Sequence, residues 1–220
     1  ASSKDHKKLN NGDYGPNTGG MGAYSPTKLI DKNISNIVIN EIIIPTLNEL
    51  KKQNIEYEGF LYAGLMIDEN QVPYVLEYNC RLGDPEAQAI LMRLESDIID
   101  IFLATINKKL DDLEIKWKNE SACTIVLASE GYPGLYEKGI KIEGLDHEIN
   151  GTKVFHSGTK KKDGNFVTNG GRVISVTALG INLQVAQAKA YDRSNQISWE
   201  GKIKRHDIGE KEINNKFIFS

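Results

Sequence analysis

The sequence predicts an α+β protein built mainly on antiparallel sheet, and three observations carry that prediction. Apolar residues recur at helical spacing over 33–53, two strand-like runs joined by a polar turn follow at 57–79, and four further β-like runs precede a single helix between 122 and 195. With 220 residues and 40% hydrophobic composition, the chain can bury a core, and its length allows one large domain or two small ones.

Residues 1–30, punctuated by Gly12, Gly15, Gly19, Gly20 and Gly22, read as loop. From Asn33 to Gln53 the positions Ile34, Ile37, Val38, Ile42, Leu47 and Leu50 mark one face of a helix, which Pro45 should kink or split. Tyr57–Ile67 and Val72–Asn79 form a hairpin around Asp68-Glu69-Asn70-Gln71. Pro85, tolerated in a first helical turn, opens a helix over Glu86–Glu95, and a second helix runs from Asp97 to Leu110 after a break. Asp111–Asn119 is polar and reads as a linker, which places a boundary near 118 between domains 1–118 and 119–220. Beyond it come strands at Ala122–Ser129, Gly139–Glu143, Lys153–Ser157 and Arg172–Leu179, with turns at 131–134 and at Asp163-Gly164. A helix over Asn182–Asn195 follows, with Asn182 as its cap.

A net charge of -3 and a pI near 5.9 argue against a nucleic-acid partner, which wants a basic face. Lys160-Lys161-Lys162 reads as a solvated hairpin tip and Lys4–Lys8 as a solvated charge run. No apolar run approaches the roughly 18 residues of a spanning helix, and the first residues lack the apolar segment of a secretory signal, so the expectation is a soluble, cytoplasmic protein without a membrane partner. Cys80 and Cys123 sit in or beside apolar strands and are expected as buried thiols. The chain starts without methionine, inside a charged motif, and reads as a piece of something longer.

Two motifs carry chemistry. In Val75-Leu76-Glu77-Tyr78-Asn79 alternate side chains share a face, so Glu77 and Asn79, with Arg81 if the strand persists, point one way while Leu76, Tyr78 and Cys80 point the other. A carboxylate beside an amide oxygen suits a hard ion such as Mg2+ (or Mn2+), and Arg81 offers a fork for a carboxylate or phosphate. The bland counterpart is a Glu77–Arg81 ion pair at a strand end. Gly15-Pro-Asn17-Thr18-Gly19-Gly20-Met-Gly22-Ala-Tyr-Ser-Pro26 is the second motif: its glycines free backbone N–H groups for an anion, permit close packing on a small ligand, or simply build a turn. Its spacing fits neither a P-loop nor a dinucleotide fingerprint. His156 reads as a half-buried, hydrogen-bonded strand residue, and no serine-nucleophile elbow is present.

Together with Asp5-His6-Lys7, Gly59-Phe-Leu-Tyr-Ala-Gly-Leu-Met66, Glu77–Glu86, Val154–Thr159, Thr168–Val173 and Asp207-Ile-Gly209, the glycine motif closely resembles the phosphoribosylamine–glycine ligase family, also called glycinamide ribonucleotide synthetase. The resemblance covers essentially the whole chain. It implies the carboxyl-terminal half of an ATP-grasp central domain, an antiparallel sheet with flanking helices, followed by a small β-rich domain. It further implies that ATP phosphorylates glycine, that phosphoribosylamine attacks the glycyl phosphate, and that glycinamide ribonucleotide, ADP and phosphate leave. By similarity Glu77 and Asn79 are the metal ligands, and Arg81, Lys7 and His6 are the catalytic group. Asn17, Thr18, Gly19, Gly20, Asp84 and Glu86 face substrate, the last two binding the amine of glycine or orienting Arg81. Lys8 stands where the family commonly has arginine and Leu82 where it has phenylalanine, and a lysine at 8 loses the planar fork. The amino-terminal domain and the lid over ATP have no counterpart here, so the chain alone is expected to turn over poorly. Its expected partner is the missing amino-terminal part of the same protein. A carboxylase-type ATP-grasp enzyme would keep the Glu-x-Asn-x-Arg logic but lack Asn17–Gly22. From another class comes a non-catalytic half-enzyme that binds a partner chain carrying the lid.

Overall fold

The computed structural model describes residues 1–215; residues 216–220, part of the expected carboxyl-terminal domain, lie outside the described residues. Strands β1 (Lys4–Asp5), β2 (Lys8–Asn10), β3 (Tyr14–Asn17) and β4 (Gly22–Ser25) open the chain. Helix α1 (Lys32–Ile37) passes through a π-helical stretch at 38–43 into α2 (Ile44–Lys52), and the hairpin β5 (Tyr62–Ile67) and β6 (Pro73–Asn79) follows. Next come α3 (Glu86–Met92) and α4 (Ile98–Ile106), then β7 (Ser121–Ser129), β8 (Thr152–His156), β9 (Thr159–Lys162), β10 (Asn165–Thr168) and β11 (Arg172–Gly180). Helix α5 (Leu183–Asn195), β12 (Lys202–Ile203) and α6 (Glu210–Ile213) complete the described chain. The architecture is α+β with every strand pairing antiparallel.

These elements form two compact units, each drawn from separate stretches: 1–26, 84–93 and 119 onward in one, 27–83 and 94–118 in the other. In the first unit the sheet runs β1-β4-β7-β11-β8, with β12 pairing the end of β7. Cys123, Ile125 and Leu127 alternate along β7 onto the face that packs with Val176, Ala178 and the small residues Ala186 and Ala190 of α5. Ala122 and Leu179 pack instead with Ala89 of α3. Asn182 caps α5, its Oδ1 accepting from the Val185 N–H at 2.9 Å. Lys160–Lys162 sits in the β9–β10 hairpin, turned by Asp163 and Gly164 at positive φ.

In the second unit Pro45 lies in the first turn of α2, directly after the π-helical stretch, so the helix adapts to the missing N–H without ending. Asp97 caps α4 through the Ile99 N–H at 2.8 Å. The Asp68 carboxylate accepts from the Asn70 and Val72 N–H groups and fixes the β5–β6 turn. Phe60 and Phe102 meet edge to face at 6.0 Å.

Several expectations need correction. The glycine-rich amino terminus is not loop: β4 is fully buried between β1 and β7, and a Cβ at Gly22 would stand 2.6 Å from the Thr124 carbonyl oxygen, so that glycine serves close strand approach. Lys4–Lys8 is not a solvated run either, since His6 is buried and Lys4 and Asp5 belong to β1. The segment 139–143 is not a continuous strand: it forms isolated bridges, Lys141 to Val167 and Glu143 to Ser198, with backbone bonds from Gly139 and Ile142 to the Thr168 and Phe166 carbonyls holding it beside β10. The first hairpin strand starts at Tyr62 rather than Tyr57; Glu56 and Glu58 instead pair with Lys108. Cys123 is buried but Cys80 is exposed, just past the end of a two-stranded ribbon with no further strand on either edge among the described residues. No helix among the described residues is long and apolar enough to cross a membrane.

Candidate functional site

Strand β6 presents the first cluster. Its register against β5 shifts between Gly64↔Glu77 and Leu65↔Val75, so Leu76 is a bulged extra residue and Glu77 and Asn79 follow it with alternation restored. Glu77 and Asn79 stand side by side, Asn79 Nδ2 donating to Glu77 Oε1 at 3.2 Å. Between them Tyr78 turns to the helical side, where its hydroxyl meets Thr46 Oγ1 at 2.7 Å. Glu77 is exposed and Asn79 partly so. Across the ribbon Gly64 leaves room for the carboxylate, because a Cβ there would sit 3.0 Å from Glu77 Cγ. The strand ends at Asn79, so Arg81 lies beyond it, exposed, with Nη1 donating to the Leu82 carbonyl at 3.0 Å. The Glu77–Arg81 ion pair does not form.

Mg2+ is satisfied by one or two protein oxygens when water and phosphate complete its octahedron. The pair at 77 and 79 fits that requirement: turning the Asn79 amide by half a turn places Oδ1 beside the carboxylate. No group of three or more His, Cys, Asp or Glu able to hold a metal occurs among the described residues, so a zinc-type cage is absent there.

The second cluster belongs to the first unit. Thr18 donates through both N–H and Oγ1 to the Lys7 carbonyl at 2.8 Å, Gly20 N–H donates to Thr18 Oγ1 at 3.0 Å, and Met21 N–H donates to the His6 carbonyl at 2.9 Å. Gly19 N–H donates to the Tyr132 hydroxyl at 2.9 Å. The amides of 18–21 are therefore all engaged by protein, which overturns the anion-cradle reading; close packing is what the glycines supply. Arg172 lies against Gly19, where a Cβ would meet its guanidinium carbon at 3.0 Å, and its Nη1 donates to the carbonyls of Gly19 and Asp84, both at 2.8 Å. Its Nη2 pairs with Asp84 Oδ2 at 3.2 Å, and Gln88 Nε2 reaches Asp84 Oδ1 at the same distance. Asp84 thus orients Arg172. Pro85 and Asp5 close on Gly20, and Glu86 is buried in the first turn of α3. Asn17 is exposed, paired through β3 with Lys8.

Burial sets the electrostatics of Asp5 and His6. Desolvation, then the neighbouring Glu86 charge, raise the Asp5 pKa to about 7, against the Lys7 ammonium 3.1 Å away. His6 is buried against Tyr24, its Nε2 accepting from the Gly209 N–H at 3.4 Å, and desolvation lowers its pKa to about 4, so the ring is neutral at pH 7. Lys7 is exposed. Beneath β2 and β3, the buried Arg205 forks onto Asp207 at 2.7 and 2.8 Å and donates to Asp13 at 2.8 Å, which Lys211 also meets at 2.6 Å. Sequence reasoning missed Arg172, Tyr132 and Arg205 as parts of this framework; the Thr168-Asn-Gly-Gly-Arg172 motif was the signal for the first.

Two family models match: phosphoribosylglycinamide synthetase, ATP-grasp (A) domain, over residues 1–87, and its C domain over 122–211. Phosphoribosylamine–glycine ligase of Vibrio vulnificus is 53% identical over 214 residues, covering 97% of this chain and 50% of that protein. The Pasteurella multocida ligase is 46% identical with the same shares. The crystal structure of phosphoribosylamine–glycine ligase from Thermotoga maritima matches with a TM-score of 0.79 at 36% identity, over 94% of this chain and 50% of that one. The biotin carboxylase domain of a thermophilic 2-oxoglutarate carboxylase matches at 14% identity and TM-score 0.63, over 90% and 43% of the two chains, a likeness of fold alone.

An α+β half of an ATP-grasp fold is the class that these shapes define. Within it, the chain belongs to the phosphoribosylglycinamide synthetase family. It spans about half the length of the curated relatives it matches.

Proposed function

We propose that this chain supplies the metal- and acceptor-facing half of a cytoplasmic carbon–nitrogen ligase that joins glycine to 5-phosphoribosylamine at the expense of ATP. The observation that carries the reading is the Glu77–Asn79 pair, side by side at 3.2 Å on the exposed side of the β5–β6 ribbon. A bound Mg2+ would supply charge neutralisation for the transferring phosphoryl group. Glu77 and Asn79 would hold it, and Arg81, with no carboxylate bound to it among the described residues, would grip the glycine carboxylate or the transferring phosphoryl oxygens. The γ-phosphoryl passes to a glycine carboxylate oxygen, ADP leaves, the amine of phosphoribosylamine attacks the acyl carbon, and phosphate departs as the amine gives up a proton.

Lys7 adds a solvent-facing ammonium on the acceptor side, while His6, buried and neutral, positions it through the backbone bonds of β1 and the glycine loop. Asn17–Gly20 and the Asp84–Glu86 turn, tied together by Arg172, form the substrate-facing surface of their unit. The substrates are small molecules, and neither nucleic acid nor membrane enters the scheme. Full-length relatives are about twice as long, so turnover by this chain alone should be slight. ADP release with glycine and phosphoribosylamine tests this: brisk ATP-dependent product formation by the 220-residue chain would overturn the dependence on further polypeptide. Within a protein of the relatives' length, Glu77→Ala should abolish turnover, and near-normal activity would overturn the metal assignment.

A second reading has its own observation. Tyr74, Val75, Leu76 and Tyr78 of β6 are all exposed, an apolar ribbon whose edges meet no further strand among the described residues, and this suits a half-enzyme binding a chain that carries the ATP lid. Mixing this chain with the amino-terminal half of a relative should then restore ADP release; persistent inactivity of a co-purifying pair would favour a non-catalytic module.

A further inference from the structure

A cavity lies in the first unit, lined by none of the residues assigned to the ligase reaction. It has a volume of about 660 Å³ and is walled by the 147–153 loop, His156 of β8 and Arg193 of α5. Thr152 Oγ1 donates to the Ile149 carbonyl at 2.7 Å and Leu179 N–H donates to the Gly151 carbonyl at 2.9 Å, so the loop is fastened at both ends of its turn.

Arg193 is the unusual member. It is 1% exposed, and its Nη2 donates to the Gly144 and Leu145 carbonyls at 2.9 and 3.3 Å. Its Nη1 is buried with no hydrogen-bond partner, and no carboxylate among the described residues lies within ion-pair distance. A guanidinium withdrawn from water without a counter-ion is costly and calls for an anion. In the remaining wall Lys153 repeats the sign against the carboxylate of Glu148, and His147 and His156 add ring nitrogens that can hydrogen-bond a ligand. Thr159 holds His156 Nδ1 at 3.0 Å, which leaves Nε2 as the ring nitrogen for a ligand.

We infer that this cavity is a binding site for a small phosphate-bearing anion, with Arg193 as its buried counter-charge and Lys153 and the two histidines at its mouth. Burial lowers the Arg193 pKa with no neighbouring carboxylate to oppose it, in keeping with a cation that lacks its partner. A phosphoryl group offers the several acceptor oxygens that a fork and surrounding donors can share. The volume exceeds that of phosphate alone and leaves room for an organic body.

Calorimetric titration of the whole 220-residue chain with inorganic phosphate, glycerol 3-phosphate and succinate tests the site without any dependence on ligase activity. Saturable binding of a phosphate probe is expected, weakened roughly tenfold or more in Arg193→Met, since the buried positive charge behind the wall is lost. Should Arg193→Met fail to fold by circular dichroism, Lys153→Ala, at an exposed position, carries the test and should also weaken binding. Tighter binding of glycerol 3-phosphate than of phosphate assigns an ester ligand, and the reverse assigns the free anion. Absence of saturable binding by both phosphate probes, affinity unchanged in both variants, or equal affinity for succinate overturns the proposal.

Discussion

Replacing Asp5 by asparagine should turn a nearly flat dependence of stability on pH into a rising one. Asp5 is buried beside Glu86, and its pKa stands at about 7 instead of 3.8. An acid whose native pKa lies above its unfolded one favours the native state at low pH and withdraws that support as pH climbs from the lower value to the upper. At 1.36 kcal/mol per unit, this penalty grows by about 3 kcal/mol between about pH 4.5 and about pH 7.5. His6 works the other way, because its pKa falls from 6.5 to about 4 and native stability is lost as pH drops through that window. Its contribution over the same range is about 2–3 kcal/mol in the opposite direction, so the two largely offset each other in the native sequence. The Asp5→Asn change removes the first and keeps the second. Urea denaturation followed by circular dichroism, at steps of pH, should give a nearly flat profile for the native chain and one that climbs with pH for the variant, which should be the more stable of the two near neutrality. Parallel profiles, or a variant less stable than the parent at about pH 7.5, would refute the claim that burial governs this carboxyl.

Arg205→Met strands the partly buried Asp13 and Asp207 and should cost about 3–5 kcal/mol in urea denaturation; a loss below about 1 kcal/mol would show the network to be dispensable. Arg172→Gln removes the clamp between the Gly19 carbonyl and Asp84, and should lower stability by about 1–3 kcal/mol and speed amide exchange at Gly19 and Gly20; unchanged exchange would deny the clamp. Gly64→Val intrudes on the Glu77 side chain, so Mn2+ titration should show weaker binding than in the native chain, and unaltered binding would separate Gly64 from the metal site.

What the sequence made legible follows the strength of local signals. The β7 and β11 runs, the Asn182 cap and the Asp163-Gly164 hairpin announce themselves through apolar runs, a capping oxygen and positive-φ residues. The Glu77–Asn79 pairing was readable because alternation needs only a strand, and the bulge at Leu76 precedes it without disturbing it. Long-range effects hid the rest. Glycine density at 12–22 looks like loop, yet Gly22 is small so that β4 can approach β7, and only the partner strand reveals that. Asp5 and His6 look solvated beside three lysines until the sheet and the 207–209 segment cover them. Arg172 sits 153 positions from the Gly19 carbonyl it holds, a separation that no local pattern encodes.

The most direct test of the metal assignment is paramagnetic broadening of assigned NMR signals as Mn2+ is added to the chain. Signals of Glu77 and Asn79 should fade first, ahead of acidic surface residues such as Asp111 and Asp112, and Glu77→Gln should abolish the preference. Broadening that begins elsewhere, or that Glu77→Gln leaves intact, would contradict a cation site at the end of β6.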